Sequence, residues 1–205
     1  GDIVGSIYEW HNLKRTDFEL FTARNFFTDD TVLTIATAVA LLDKVDYAKT
    51  YKLFARTYSH AGYGGRFKTW AWSDSLKPYN SYGNGSAMRV APVAYVFNSL
   101  DQVLKESVNS ASVTHDHPEG IAGATATAGA IFIARAGGSK ADIERFWRNN
   151  YSYIRNSSIE EIRRTNRFDE TCQGTLPVVC ACVLAANSFE DCMRLAVTVK
   201  DSAIL

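Results

Sequence analysis

The chain has 205 residues and a mass of 22.7 kDa, enough for one domain with a substantial core. Hydrophobic residues make up 46% and charged residues 21%, which is ordinary for a soluble globular protein. Lys+Arg and Asp+Glu are both 22, so the formal net charge is zero, which argues against a polyanion-binding surface such as a nucleic-acid site.

Helical periods dominate and convincing strand alternation is absent, which predicts an all-α, single-domain orthogonal helical bundle over residues 1–205. Asp2 to Trp10 reads as a short first helix carrying Glu9, and His11 to Asn25 as a polar, irregular connection. The stretch FFTDDTVLTIATAVALL, Phe26 to Leu42, has apolar residues at three- and four-residue intervals (Val32, Leu33, Ile35, Ala36, Val39, Ala40, Leu42) and predicts a helix with one broad buried face. Its mouth admits two readings. Thr28 can act as N-cap while Asp29 and Asp30 oppose the positive end of the helix dipole. Alternatively, the Thr-Asp-Asp triplet offers a hydroxyl and two carboxylates, the hard oxygen ligands that Mg²⁺ prefers.

Tyr47 to Tyr58 predicts a second helix, ended by the glycine-rich HAGYGGRF, His60 to Phe67. Gly62, Tyr63, Gly64 and Gly65 can form a loop that closes over a ligand, with Tyr63 or Phe67 stacking on a base, or simple punctuation between helices. A loop from Ser73 to Ser86 follows, then an apolar helix from Ala87 to Asn98. Within SYGNGSAMRVAP, residues Ser81, Tyr82, Gly83, Asn84, Gly85 and Ser86 stand immediately before that helix. Glycine lets backbone N–H groups approach an anion, and a helix N-terminus favours negative charge, so this is either a diphosphate cradle or a tight turn. Arg89, one turn in, can meet an acid or pack on the core.

Further helices are predicted over Leu100 to Ser112, Pro118 to Ala136, Lys140 to Tyr153, Leu176 to Ala186 and Phe189 to Val199. In THDHPEG, Thr114 to Gly120, His115 can stack on or hydrogen-bond a nucleotide, ligate a metal, or belong to a polar cap ahead of Pro118. His115 followed by Asp116 is also similar to the His-Asp pair of HD-type all-α phosphohydrolases. The apolar stretch Ile121 to Ala136 is short and rich in Gly, Ala and Thr, which suits a close-packed core helix and not a membrane span. The cysteines, Cys172, Cys180, Cys182 and Cys192, form no C-x-x-C pair and read as buried free thiols of a cytoplasmic protein. Gly1 is not a methionine, so the natural N-terminus is expected upstream.

Taken in order, GDIVGSIYE (Gly1 to Glu9), FTDDT, SYGNGSAMR, THDHPEG and CQGTLP (Cys172 to Pro177) resemble the ADP-ribosylglycohydrolase family of the dinitrogenase-reductase-activating type. The resemblance runs along nearly the whole chain. It implies an all-α fold with two Mg²⁺ ions in a cleft, and hydrolysis of the bond between ADP-ribose C1″ and a protein side chain or small acceptor. It also implies that the partner is an ADP-ribosylated protein or a small ADP-ribose conjugate, met by a monomer with no need of nucleic acid or membrane. By residue-level transfer, Glu9, Thr28, Asp29 and Asp30 are metal ligands. Catalysis falls to Glu9, Asp29 and Asp30, with Asp29 facing the ribose and Glu9 or an acid beside the metals as the base. Gly62 and Tyr63 approach the ligand, Ser81 to Ser86 contact the diphosphate, and His115 lies on the nucleotide side. The family's late Gly-Gly-Asp-x-Asp-Thr run is matched here by VTVKDSAIL, Val197 to Leu205. Asp201 is its one candidate ligand, beside Ser202, and the second aspartate, the threonine and the following helices are expected to be lacking. That departure supports an alternative, a non-catalytic ADP-ribose-binding or structural homologue; an HD-type phosphohydrolase is the further alternative.

Overall fold

The longest helix, Pro118–Arg135, is the axle of the molecule because its side chains are small on every face. Gly120, Gly123, Ala124, Ala126, Ala128, Gly129 and Ala130 are all buried. A methyl group at Gly123 would overlap Cys172 Sγ, and one at Gly129 would overlap the Phe146 ring, so neighbouring helices approach the backbone itself. His117 caps the start by accepting from Glu119 N–H, and Pro118 occupies the first turn.

The computed structural model describes residues 1–9, 13–152, 158–165 and 169–199. Among them it forms twelve helices: α1 (Asp2–Gly5), α2 (Asp29–Leu42), α3 (Tyr47–Thr57), α4 (Gly65–Trp72), α5 (Gly85–Met88), α6 (Val93–Val96), α7 (Leu100–Ser112), α8 (Pro118–Arg135), α9 (Lys140–Asn150), α10 (Ile159–Thr165), α11 (Cys172–Ala185) and α12 (Phe189–Thr198). The only β-type pairing among the described residues is an isolated antiparallel bridge between Gly83 and Thr171. The all-α expectation therefore holds. No described helix is long and apolar enough to cross a membrane.

Several helix limits differ from expectation, each for a local reason. The first helix is only one turn, and Glu9 lies in the bend beyond it. The glycine-rich stretch does not remain a loop: Gly64 becomes the N-cap of α4, whose Phe67, Trp70 and Ala71 are buried. The expected helix Ala87 to Asn98 is two single turns, α5 and α6, interrupted before Pro92, which lacks the N–H a continuous helix needs there. α10 was not foreseen. α11 starts four residues before Leu176, capped by Thr171, whose hydroxyl accepts from Gly174 N–H at 3.1 Å.

α8 touches α5, α6, α7, α9 and α11. On one side α2, α3 and α4 bury Leu33, Tyr51 and Trp70 together. On another, Val4 of α1 meets Met193 and Val197 of α12 with Phe18 from the intervening connection. These clusters bring the mouth of α2, the Ser81–Gly85 turn and the end of α12 around one cleft.

Candidate active site

The cleft has a volume of about 580 Å³. Its two ends are chemically opposite.

At the first end α2 begins. Thr28 is extended and takes the N-cap position, with its hydroxyl 3.4 Å from Asp30 N–H. Most of the capping, however, comes from Asp2, 26 residues upstream. Its carboxylate accepts from Thr28 N–H (2.8 Å), Thr28 Oγ1 (2.7 Å), Thr31 N–H (3.2 Å) and Thr31 Oγ1 (2.5 Å). Asp2 thus satisfies donors that the first turn leaves free. The Asp29 backbone N–H goes to Ala61 O at 2.7 Å. The carboxylates of Asp29 and Asp30 are consequently not needed for capping. Among the described residues no donor of another residue bonds the Asp29 carboxylate, and Asp30 Oδ2 has only the Thr28 hydroxyl at 3.3 Å.

Both acids line the cleft with Asp2, Glu9 and Glu170. None of the four ion pairs among the described residues involves any of them. Burial first, then the charges of Asp2, Glu9 and Glu170, push Asp29 up to about 7. Burial, then Asp29 and Asp2, push Asp30 well above the usual carboxylate range. Glu9 is raised by burial, with Asp2 and Glu170 adding to it. Acids held together without a cation are a strained arrangement that a bound cation relieves.

At the second end the chain presents donors. Asn84 N–H is tied to Glu170 O (2.7 Å) and Cys172 N–H to Tyr82 O (2.9 Å), so the turn is pinned against the start of α11. Cys172 Sγ reinforces this by donating to Gly83 O at 3.1 Å. Asn84 Nδ2 donates to Thr175 Oγ1 at 3.2 Å. His115 lies behind the turn: a Cβ at Gly85 would stand 3.3 Å from its Nε2, and one at Gly83 3.9 Å away. Arg89 is fully buried beside it, with its guanidinium carbon 4.2 Å from the centre of the Tyr51 ring. Its Nη2 donates to Ser110 O (3.2 Å) and Thr114 Oγ1 (2.8 Å), while Nε and Nη1 have no partner among the described residues. Arg66 also lines the cleft, over the Tyr79 ring. Burial, then Arg89 and Arg66, hold His115 well below the usual imidazole range, so the ring is neutral.

Of the residues singled out from sequence, Glu9, Thr28, Asp29, Asp30, Gly62, Ser81, Tyr82, Gly83, Asn84, Gly85 and His115 line this cleft together. Gly62 adopts φ +94°, which glycine accommodates readily, and this carries the chain past Asp29. Two residues are placed differently from the expectation that they contact ligand. Tyr63 stacks behind Phe67 (ring centres 5.4 Å apart) and is buried, with its hydroxyl unpartnered among the described residues. Ser86 is fully buried and turns inward, donating to Gly120 O at 2.6 Å, because as the second residue of α5 it faces α8. Asp201 and Ser202 lie outside the described residues. Asp116 is exposed, accepts from Asn80 N–H at 2.7 Å and does not line the cleft, so it forms no joint site with His115 of the HD kind.

Sequence reading missed Asp2, Glu170 and the pairing of Arg89 with Thr114. Only tertiary contacts reveal these. The sequence signal for Asp2 was its place directly ahead of the first apolar turn, where an acid reads as a cap for its own helix and not for one 26 residues on.

The donor set also tests the fit to Mg²⁺. Thr28, Asp29, Asp30 and Glu9 supply only hard oxygen atoms, and the acids form no ion pair among the described residues, which suits that ion in kind. Among the described residues no three His, Cys, Asp or Glu side chains converge as a ready-made metal site. The described residues therefore match Mg²⁺ in donor type without forming a converged cluster.

The family model for ADP-ribosylglycohydrolase matches residues 1–203. The ADP-ribosylhydrolase ARH3 of Mus musculus is 30% identical over 178 residues, covering 69% of this chain and 48% of that protein. The Homo sapiens ARH3 is likewise 30% identical over 178 residues, covering 69% of this chain and 49% of its own length. The chain thus spans about half the length of these curated relatives. A solved structure described as an ADP-ribosylglycohydrolase-related protein complex superposes with a TM-score of 0.77 at 22% identity, over 99% of this chain and 78% of that one, which shows a shared fold. On the match across nearly its full length, the chain belongs to the ADP-ribosylglycohydrolase family.

Proposed function

We propose that this chain hydrolyses the glycosidic bond between ADP-ribose C1″ and a protein side chain or small acceptor, in a Mg²⁺-dependent reaction. The observation that carries this reading is the opposition of the two cleft ends: uncompensated carboxylates at the mouth of α2, and buried donors behind the Gly83–Gly85 turn. A diphosphate carries negative charge and suits the donor end, which leaves the ribose toward Asp29, Asp30 and Glu9.

Cleavage of a glycosidic bond builds positive charge at C1″, which nearby carboxylates stabilise. Asp29, whose carboxylate is bonded by no donor of another described residue, is the acid that would accept from ribose hydroxyls. In this reading Glu9, raised by desolvation and by Asp2 and Glu170, takes a proton from an attacking water. Thr28, Asp29, Asp30 and Glu9 would hold Mg²⁺, with Asp201 assigned to the same role by the family resemblance. When bound, that ion supplies Lewis acidity toward ribose hydroxyls and water. The substrate is an ADP-ribosylated protein or a small ADP-ribose conjugate.

A second reading, an ADP-ribose-binding protein without turnover, draws on the acid wall, where no three acids converge among the described residues. Calorimetry with ADP-ribose, with and without Mg²⁺, followed by a turnover assay on ADP-ribosylated substrates, separates the two. Metal-assisted binding with turnover supports hydrolysis. Tight binding without turnover supports the second reading, and indifference to ADP-ribose removes both.

A further inference from the structure

His115 lies three residues beyond the end of α7 and is only 4% exposed. Its Nδ1 lies 2.7 Å from Thr114 Oγ1, a contact in which either atom could donate. The neighbouring bonds decide the direction. Arg89 Nη2 is 2.8 Å from the same hydroxyl oxygen, and a guanidinium can only donate, so Thr114 Oγ1 accepts there. The hydroxyl's single proton then has two destinations, His115 Nδ1 at 2.7 Å or Ala111 O at 3.5 Å. Ala111 O already accepts the backbone N–H groups of Thr114 (3.1 Å) and His115 (2.8 Å), and 3.5 Å is poor hydrogen-bonding geometry.

We infer that Arg89 and Thr114 act as positioning residues that fix His115 as the neutral tautomer with Nδ1 accepting and the proton on Nε2. His115 then offers one hydrogen-bond donor to an oxygen acceptor of the ligand at the Gly83–Gly85 turn, and neither abstracts a proton nor ligates a cation. Two observations agree with it. The Cε1–Nε2 edge of the ring faces the turn, since a Cβ built at Gly85 stands 3.3 Å from both atoms and one at Gly83 stands 3.9 Å from Nε2. The buried Arg89 charge also opposes a second proton on the ring, which keeps Nδ1 an acceptor. The order guanidinium, hydroxyl, imidazole runs one way because the guanidinium cannot accept and Ala111 O, already taken by two N–H groups, leaves Nδ1 as the better acceptor for the hydroxyl proton.

The identity of the ligand rests on the function proposed above; the tautomer does not. The test uses the full chain with ¹⁵N-labelled histidine at neutral pH, reading the ring nitrogens by long-range proton–nitrogen correlation without ligand, with His115→Gln for assignment. The expected spectrum shows a protonated Nε2 and an accepting Nδ1, unchanged in Thr114→Ser. Thr114→Val should lose that signature and bind ADP-ribose about tenfold more weakly, the effect of one ordinary hydrogen bond, while Thr114→Ser keeps its affinity. A protonated Nδ1 in the wild-type or Thr114→Ser spectrum overturns the inference, as does a Thr114→Val protein with the same tautomer and affinity. Failure of the wild type to bind ADP-ribose would instead sink the functional reading, because the tautomer is measured on the free protein.

Discussion

The mouth of α2 and the turn before α5 face each other across one cleft, yet they are unfinished in opposite senses. At the mouth of α2, Asp29 and Asp30 are acceptors in excess: five acids line the cleft and none is ion-paired among the described residues. At the turn, Arg89 is a donor in excess, fully buried with two nitrogens unpartnered among the described residues. The two do not neutralise each other, since Arg89 has no carboxylate in ion-pair contact among the described residues. On the function proposed above, a bound ligand and cation would supply the missing partners. A purely structural pair would have been brought together, because a buried ion left alone is costly.

The largest effect is expected at the acids. Asp29→Asn or Asp30→Asn should lower turnover at least about 100-fold, as loss of a group acting on the transition state does. The metal-free protein should become more stable at the same time. A folded-state value raised from 3.8 to about 7 means that Asp29 holds its proton in the fold while the unfolded chain releases it. Stability is therefore fully present below pH 4 and is lost as pH rises toward 7. Above pH 7, with EDTA present, the Asn variants should gain about 1–3 kcal/mol over wild type, and at pH 4 the gain should vanish. Mg²⁺ should then raise the wild-type melting temperature and leave both variants unmoved. Equal melting curves at all pH values would mean the acids are not strained against each other.

At the donor end the test is steric. A side chain at Gly85 would stand 3.3 Å from the His115 ring, whereas at Gly83 its nearest neighbour is Ser81 Oγ at 3.5 Å, an ordinary contact. Gly85→Val should therefore weaken ADP-ribose binding tenfold or more, while Gly83→Ala should fold normally and bind with a smaller loss. Isothermal titration of the two variants distinguishes a shaped cradle from an ordinary turn; equal, unchanged affinities return the segment to a turn.

The two ends also differ in how far they were legible in sequence. The Thr28–Asp29–Asp30 triplet announces itself because helix periodicity starts beside it, and the amphipathic pattern of Val32, Leu33 and Ala36 places the helix correctly. The glycines of the turn were equally visible. What could not be read was which partner each group would meet. Asp2 looks like the cap of its own short helix until the fold brings Thr28 and Thr31 onto it. Ser86 looks like part of the cradle until one turn of helix faces it inward to Gly120 O. Gly64 and Gly65 read as breakers, but burial of Phe67 and Trp70 overrides their weak propensity and starts α4 there. Local pattern fixes the element; burial decides which way its side chains point.

A pH contrast sharpens the comparison further. His115 is held neutral by burial and by Arg89 and Arg66, so its contribution to stability is present above its ordinary value of 6.5 and is lost as pH falls below it. The acids act with the opposite sign over pH 4 to 7. His115→Gln should flatten the acid-side loss, removing up to about 1.4 kcal/mol per pH unit just below pH 6.5. Urea titrations at pH 5 and 7.5 would measure it, and an unchanged pH slope would mean that the ring is protonated in the fold.

The smallest effect concerns Thr28, where capping and metal binding make different demands on one hydroxyl. As a cap, Thr28 Oγ1 gives Asp30 N–H a weak bond at 3.4 Å, and it donates to Asp2 Oδ1 at 2.7 Å. Asp2 holds Thr31 as well, so the first turn of α2 keeps much of its support when Thr28 is changed. Thr28→Ala should accordingly cost only about 1 kcal/mol of stability, the usual worth of a cap. Asp2→Ala, which orphans four donors, should cost more. A ligand oxygen has a second signature that a cap lacks: the Mg²⁺ concentration giving half-maximal turnover should rise in Thr28→Ala and return toward wild type in Thr28→Ser. If Thr28→Ala shifts stability alone and leaves the Mg²⁺ requirement unchanged, the hydroxyl is a cap and the metal is held by carboxylates only.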